Sequence, residues 1–334
     1  MTLIIEHDVR NLPERNSGEC ESGYPNDGIC RLIGTTRHIG FQEVLSTVWF
    51  LLIFISATFS ALSMVTMKLG VQNVDPVLAS AMSTIVVFLI SWAVVIASGL
   101  HMQLAEIDGS TFAFLILTGL ATGGVGLANY GALKLGEVDT YVAVVRCSMV
   151  LSVVLSFLLL GDPFTTASGV GTAFILVGTV LMIDRRSRSS RSRLSVKWAV
   201  LMVVAIALSS TATLLGKVGI NEVNPLVGTA MFSIPIVLLS NGLALATGKW
   251  KGALAMTRRE LVFVLLAGAA SAGTEITFYA GLKLQLTSIV MPVDKLLSGF
   301  ITIVLAYFVF GEKVTKRSAI ALALIGAGSV AIIM

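Results

Sequence analysis

Lys68-Leu-Gly-Val-Gln-Asn-Val-Asp-Pro76 and Lys217-Val-Gly-Ile-Asn-Glu-Val-Asn-Pro225 lie 149 residues apart and share Lys, Gly, Val and Pro in one register. Working outward at the same offset, Ala81-Met82 meets Ala230-Met231. Leu117, Gly119, Ala121, Gly124, Tyr130, Leu133, Lys134 and Leu135 then fall on Leu266, Gly268, Ala270, Gly273, Tyr279, Leu282, Lys283 and Leu284. Compositional bias can match leucines, but it does not match Lys, Pro and Tyr in one frame. At an offset of 150, Gly161-Asp162 and Thr165 meet Gly311-Glu312 and Thr315, and Gly178 meets Gly328. The chain is two copies of one unit.

The residues between these landmarks identify the solvent. Of 334 residues, 55% are hydrophobic and 13% charged, with a mean hydropathy of +0.90, whereas soluble domains carry about 25% charged residues. The apolar residues form ten blocks, at 47–69, 77–99, 112–133, 141–160, 166–183, 198–216, 226–247, 261–282, 289–310 and 318–334. Each has roughly the 17–25 residues a helix needs to cross a bilayer. Strict alternation of period two is absent, which disfavours a β-barrel and leaves helices as the spanning solution. The expected fold is therefore an all-α polytopic membrane protein of ten transmembrane helices. Five spans per copy force the second copy to enter from the opposite side, giving two inverted five-helix repeats, 47–183 and 198–334, joined by a linker at 184–197. That plan recurs in secondary transporters, whose substrate sites lie near mid-membrane between the halves. It is an argument from architecture and names no substrate.

Residues 1–46 are polar, lack the features of a signal peptide and are expected to form a disordered tail. Translation starting near Val44 would make most of that tail an annotation artefact. Of the three cysteines, Cys20 and Cys30 lie in the tail and Cys147 in a span, too few for a disulfide framework. The net charge of +4 is unevenly placed: the tail holds four Lys/Arg against seven Asp/Glu, while Arg185, Arg186, Arg188, Arg191, Arg193 and Lys197 crowd the linker. A basic loop between apolar spans is a topology anchor facing anionic lipid, so no nucleic-acid partner is expected. The expected partners are the bilayer of a bacterial inner membrane and a small-molecule substrate, with a homodimer left open. No cofactor and no metal are expected. His7, His38 and His101 lie in the tail or a loop and form no ligand set, and a P-loop is lacking, so an enzyme or an ATP-driven pump is disfavoured.

These motifs also carry a resemblance. Lysine ends the first span of each repeat (Lys68, Lys217), Tyr-x-x-Leu-Lys ends the third (Tyr130 to Lys134, Tyr279 to Lys283), and Gly-Asp/Glu closes the fourth (Gly161-Asp162, Gly311-Glu312). In that order over about 47–334, the chain resembles the drug/metabolite transporter superfamily, and within it the ten-span EamA-type exporters with two tandem EamA repeats. The Val-Met-Pro-Val-Asp-Lys run at 290–295 looks like a subgroup whose substrates are poorly defined. The first-half counterpart, Val-Ala-Val-Val-Arg at 142–146, lacks both Pro and Asp, so the halves differ there. What the resemblance implies is export of a small metabolite with both termini cytoplasmic. The small four-span multidrug exporters rely on a carboxylate in their first span, and residues 47–69 contain none.

Ionisable groups inside the spans are few: Arg146, Glu275, Asp294 and Lys295. Each costs about 2.5–3.5 kcal/mol near a helix centre, so each should face a cavity or a partner. The short hairpin between spans eight and nine places Glu275, Asp294 and Lys295 at one depth, about 10 Å from the nearer surface. Two readings are open. Glu275 and Lys295 form a buried ion pair with Asp294 solvated, or at least one carboxylate titrates and couples protons to substrate. Arg146, taken as the equivalent of Lys295, approaches from the other side, and two such cations would suit a carboxylate or phosphate; alternatively it snorkels. Tyr130, Tyr279 and Asn129 are candidate cavity groups or interhelical hydrogen-bonders. Lys68, Lys217, Lys134 and Lys283 are expected to satisfy helix ends. The stripe Ala319, Ala323, Ala327 is expected to permit close packing.

The reading at this point is a secondary transporter, an exporter, of a small polar or anionic/zwitterionic metabolite such as an amino acid. It works by alternating access, with proton coupling open; a membrane-embedded enzyme, receptor or channel is the alternative. Counting Lys/Arg on the two sides gives six, with the tail, against fifteen, with the linker. Charge thus puts both termini outside and the linker inside, opposite to what the resemblance implies.

Overall fold

The computed structural model describes residues 27–135, 141, 144–145, 147–161, 166–182, 196–310 and 316–333, with side chains from Thr47 onward except at scattered helical positions. Arg146 and most of the Arg-rich linker lie outside the described residues. The chain divides into Met1–Thr47 and Val48–Met334. In the first unit the described backbone is helical from Asp27, and residues 1–26 of the expected tail lie outside the described residues. No proline stands between Pro25 and Pro76, so nothing interrupts the i to i−4 ladder as it propagates towards the N-terminus.

The helices are α1 (Asp27–Gly70), α2 (Pro76–Ala97), α3 (Gly109–Leu135), α4 (Cys147–Leu160), α5 (Thr166–Met182), α6 (Val196–Asn221), α7 (Pro225–Ala246), α8 (Arg258–Leu284), α9 (Thr287–Phe310) and α10 (Lys316–Ile333). The described residues contain no strand. Among them seven helices are long and apolar enough to cross a membrane: the Thr47–Gly70 part of α1, then α2, α3, α6, α7, α8 and α9. The protein is an all-α polytopic membrane protein. The fourth expected span is shorter here because Val142, Ala143 and Arg146 fall outside the described residues.

The repeated nonapeptides are the turns between α1 and α2 and between α6 and α7. Asp75 caps α2, its carboxylate accepting the Val77 N–H at 3.0 Å with Pro76 at the first helical position; Asn224 caps α7 the same way through Leu226 N–H, also at 3.0 Å, before Pro225. Both helices stop at glycines in the left-handed region, Gly99 (φ 69°) and Gly248 (φ 67°), which a Cβ would strain. Short 3-10 helices follow, Leu100–Glu106 and Lys249–Ala255. The Thr257/Glu260 capping box then starts α8.

A two-fold relation between the repeats is visible in which residues touch. A Cβ at Gly119 on α3 would strike Phe232 O and Pro235 on α7; at Gly268 on α8 it would strike Ser83 O and Val86 on α2. Those four neighbours are the same two positions with the repeats exchanged. Gly70 against Val264 and Gly219 against Leu115 repeat the pattern, as do Gly273 against Phe59 and Gly124 against Leu208. If i touches j and the copy of i touches the copy of j in the other half, the interface is isologous, as a two-fold axis requires. Helices therefore pack mainly across the halves: α3 on α6 and α7, α8 on α2, α4 on α9, and α5 on α10. At the centre, Ser80 Oγ donates to Ser240 Oγ (3.4 Å) and Asn241 Nδ2 to Ala81 O (3.2 Å).

The four repeated lysines tie segments together within each repeat. Lys134 Nζ donates to Val74 O (2.8 Å) and Lys283 Nζ to Val223 O (2.9 Å); Lys68 Nζ reaches Leu133 O (2.6 Å), and Lys217 Nζ reaches Leu282 O and, at 2.9 Å, Gln285 O. They satisfy carbonyls of neighbouring segments rather than of their own helices. Of the alanine stripe, Ala323 and Ala327 are exposed in this chain, and the Ala319 side chain lies outside those described.

Candidate functional site

Between the two repeats lie three pockets of about 160, 170 and 200 Å³ that share walls. The first and second share Ser60, Met64, Asn129 and Tyr141; the second and third share Thr274 and Glu275; the first and third share Val125, Ser209 and Lys295. They are lobes of one central cavity.

The cavity repeats the two-fold pattern. Ser60 on α1 and Ser209 on α6 line it at an offset of 149, and Ser148 on α4 and Ser298 on α9 at an offset of 150. One extra residue between the third and fourth helices of the second repeat accounts for the change. Val145 and Lys295 both line the same lobe at that offset. The counterpart of Lys295 in the cavity is thus Val145, which corrects the expected equivalence with Arg146; Arg146 itself lies outside the described residues. Apolar Val145 opposite Lys295 leaves the charged lining of the described residues to the second repeat.

Asp294 is 1% exposed, and each of its oxygens accepts one hydrogen bond. Its Oδ1 accepts from Ser56 Oγ at 3.0 Å and its Oδ2 from Lys295 Nζ at 3.2 Å. Neither end of the expected Glu275–Lys295 pair is made, because Lys295 turns to its chain neighbour, and Asp294 is buried rather than solvated. Lys295 keeps a quarter of its side chain open, lines two lobes, and holds Nζ 5.9 Å from the centre of the Phe278 ring. The α8–α9 hairpin does bring Glu275, Asp294 and Lys295 to one lobe.

Glu275 Oε2 is buried without a hydrogen-bond partner, and so is Asn129 Oδ1; both residues line the 170 Å³ lobe. Tyr279 lines the third lobe, its hydroxyl 3.5 Å from Ala212 O and its ring against Phe232 and Phe278. Tyr130, its sequence counterpart, lines none of these lobes. It is 2% exposed within a cluster of Val71, Val74, Leu78 and Val264, with Met67 against it. The difference arises at the helix crossing. Met67 occupies the place that Gly216 holds in the second repeat, and a Cβ at Gly216 would overlap the Tyr279 ring.

The hydroxyl lining was not anticipated from the sequence. Ser60, Ser63, Ser148, Ser209, Ser271, Thr274, Ser298 and Thr302 all contribute. Ser56, Ser60 and Ser63 recur at i, i+4 and i+7, and Ser148, Ser298 and Ser209 recur across the repeats, which is the signal available. The described residues hold no cluster of His, Cys, Asp and Glu able to bind a metal ion.

Comparison with known proteins places this architecture. Residues 47–184 match the EamA-like transporter family. A curated protein, the uncharacterized transporter encoded in the cobO 3′ region of a Sinorhizobium species, is 35% identical over 138 residues, which are 41% of this chain and 98% of that protein. A solved crystal structure superposes with a TM-score of 0.63 over 84% of this chain and 96% of that one, at 18% identity, a likeness of fold.

Proposed function

Because the chain belongs to the EamA-like transporter family, a family of multi-pass membrane proteins, we propose that it is a secondary transporter of the bacterial inner membrane. It exports a small polar, zwitterionic metabolite of amino-acid size by alternating access. The observation that carries this reading is the central cavity, lined by symmetry-related serines of both repeats and by Glu275, Asp294 and Lys295. A cavity on a two-fold interface opens to one side when the halves rock one way and to the other when they rock back. Ten crossings, five per inverted repeat, complete that plan.

Serine hydroxyls and a side-chain amide donate and accept, so they suit an uncharged or doubly charged solute of zero net charge better than a lipophilic drug. Lys295, already beside Asp294, offers its remaining N–H groups to a carboxylate. A proton on Glu275 or Asp294 is the coupling ion in this reading. The test is flux into proteoliposomes of the purified protein over a panel of labelled metabolites, with and without a pH gradient. Saturable uptake that a gradient accelerates, and that Lys295→Gln and Glu275→Gln abolish, is expected. Flux through both variants at the wild-type rate would remove the cavity from the mechanism.

A further inference from the structure

We propose that Glu275 and Asn129 form a subsite for a primary ammonium group, which fixes the substrate as an amine and sets the direction in which it lies in the cavity. The proposal rests on the transporter reading for its setting and on an independent observation for its content. Two buried oxygens, Glu275 Oε2 on α8 and Asn129 Oδ1 on α3, line one 170 Å³ lobe, and neither has a hydrogen-bond partner. Buried acceptors without donors are costly, and each in a native structure calls for the group that satisfies it.

The missing group must donate, in more than one direction, to a lobe holding a carboxylate and an amide oxygen. An ammonium has three donors and no acceptor and carries the charge that balances Glu275. The hydroxyls of Ser60, Ser63 and Ser271 stand on the same walls as further acceptors. Met64 and Met67 supply soft apolar wall, against which the carbon next to an amine packs. The described residues hold no group of three His, Cys, Asp or Glu able to bind a metal ion, and the single carboxylate of this lobe balances one positive charge. Asp294 is no rival for the ammonium, since it does not line this lobe and Lys295 already balances its charge.

The same geometry orients the ligand. Lys295 lines the other two lobes, and one of these shares Glu275 with the ammonium lobe. A molecule with its ammonium at Glu275 and Asn129 therefore directs any carboxylate towards Lys295. The subsite lies on α3 and α8 and the anion subsite on α9, so three helices drawn from both repeats must be in place to hold a zwitterion.

The purified full-length protein in lipid nanodiscs tests this with isobutylammonium, isobutyrate, isobutanol and sodium ion as probes, by calorimetry. Binding of isobutylammonium alone is expected, weakened at least tenfold by Glu275→Gln and by a smaller factor by Asn129→Ala, with Tyr130→Phe unchanged. In wild-type protein, labelling of Glu275 by a hydrophobic carbodiimide, located by peptide mass spectrometry, should be slowed by isobutylammonium and not by isobutyrate. That readout stands even if the variants fail to fold. Binding of isobutyrate or sodium at the labelled carboxyl in preference to the amine, or no protection by the amine, would overturn the proposal. Amine binding with no flux in proteoliposomes would overturn transport and leave the subsite; flux of a non-amine without amine binding would do the reverse.

Discussion

Replacing Gly268 by alanine probes the two-fold interface at one of its tight backbone contacts. A Cβ there would sit 2.5 Å from Ser83 O, 2.9 Å from Val86 Cβ and 3.0 Å from Ser83 Cα, where ordinary contacts run from 3.4 to 4 Å. The obstacle is backbone, which cannot rotate aside, so α8 must withdraw from α2 by roughly 1 Å. Overpacking of this kind costs about 1–3 kcal/mol, and the rigid neighbour puts it at the upper end. Alanine recovers about 1 kcal/mol of helix propensity, leaving a net loss of about 2 kcal/mol. Gly119→Ala, the symmetry mate, meets Phe232 O and Pro235 and should lose at least as much. Gly242→Ala in α7 has nothing within 4 Å of the new methyl and should gain up to about 1 kcal/mol. Unfolding of the purified protein in mixed micelles, titrated with SDS, reads all three. Equal stability of Gly268→Ala and Gly242→Ala would refute the packing argument, because it would mean the two repeats do not touch through these glycines.

The Asp75 carboxyl is pushed up by partial burial, but the hydrogen bond from Lys249, the Val77 N–H, and the charges of Lys249 and Lys134 outweigh this and hold it below its ordinary value of 3.8. A depressed carboxyl stabilises above its unfolded pKa and loses that stabilisation as pH falls through its folded pKa. Asp75→Asn, which keeps the cap as Asn224 does, should therefore cost less than about 1 kcal/mol at pH 7, with the difference shrinking as pH falls below 3.8 and gone once pH is below the lower folded pKa. Thr257→Ala removes the acceptor for Glu260 N–H (3.3 Å) and loosens the reciprocal bond (2.8 Å), and should lower stability by about 0.5–2 kcal/mol in the same titration. If fifteen Lys/Arg against six set the orientation by the positive-inside rule, a C-terminal alkaline phosphatase fusion should be active and a fluorescent-protein fusion dark; the opposite pair of results reverses the topology.

The repeat was legible because Lys, Pro, Tyr and Gly occupy positions that membrane composition does not explain. The structure gives each a mechanical reason: Pro76 and Pro225 begin helices, and Lys134 and Lys283 close carbonyls at the adjoining turns. The shared lobe of Glu275, Asp294 and Lys295 followed from hairpin geometry. Pairing did not. Which carboxylate takes Lys295 depends on rotamers and on Ser56 from α1, 238 residues away in sequence. Tyr130 and Tyr279 share a sequence position and not an environment, because Met67 and Gly216 differ on the helix each one crosses. The serine lining was hidden since small residues every four positions read equally as helix packing, and the one-residue shift between α3 and α4 on one side and α8 and α9 on the other moved the counterpart of Lys295 from Arg146 to Val145.

The central claim is that one cavity, bounded by both repeats, faces each side of the membrane in turn. Single cysteines at Ser60 and at Ser209, symmetry mates on its wall, introduced after replacement of Cys20, Cys30 and Cys147, report this through an impermeant maleimide applied to right-side-out or inside-out vesicles. Each cysteine is predicted to react from both sides, at rates that a transported solute shifts in opposite directions. Reaction of both positions from the same single side, whatever solute or gradient is present, would contradict it.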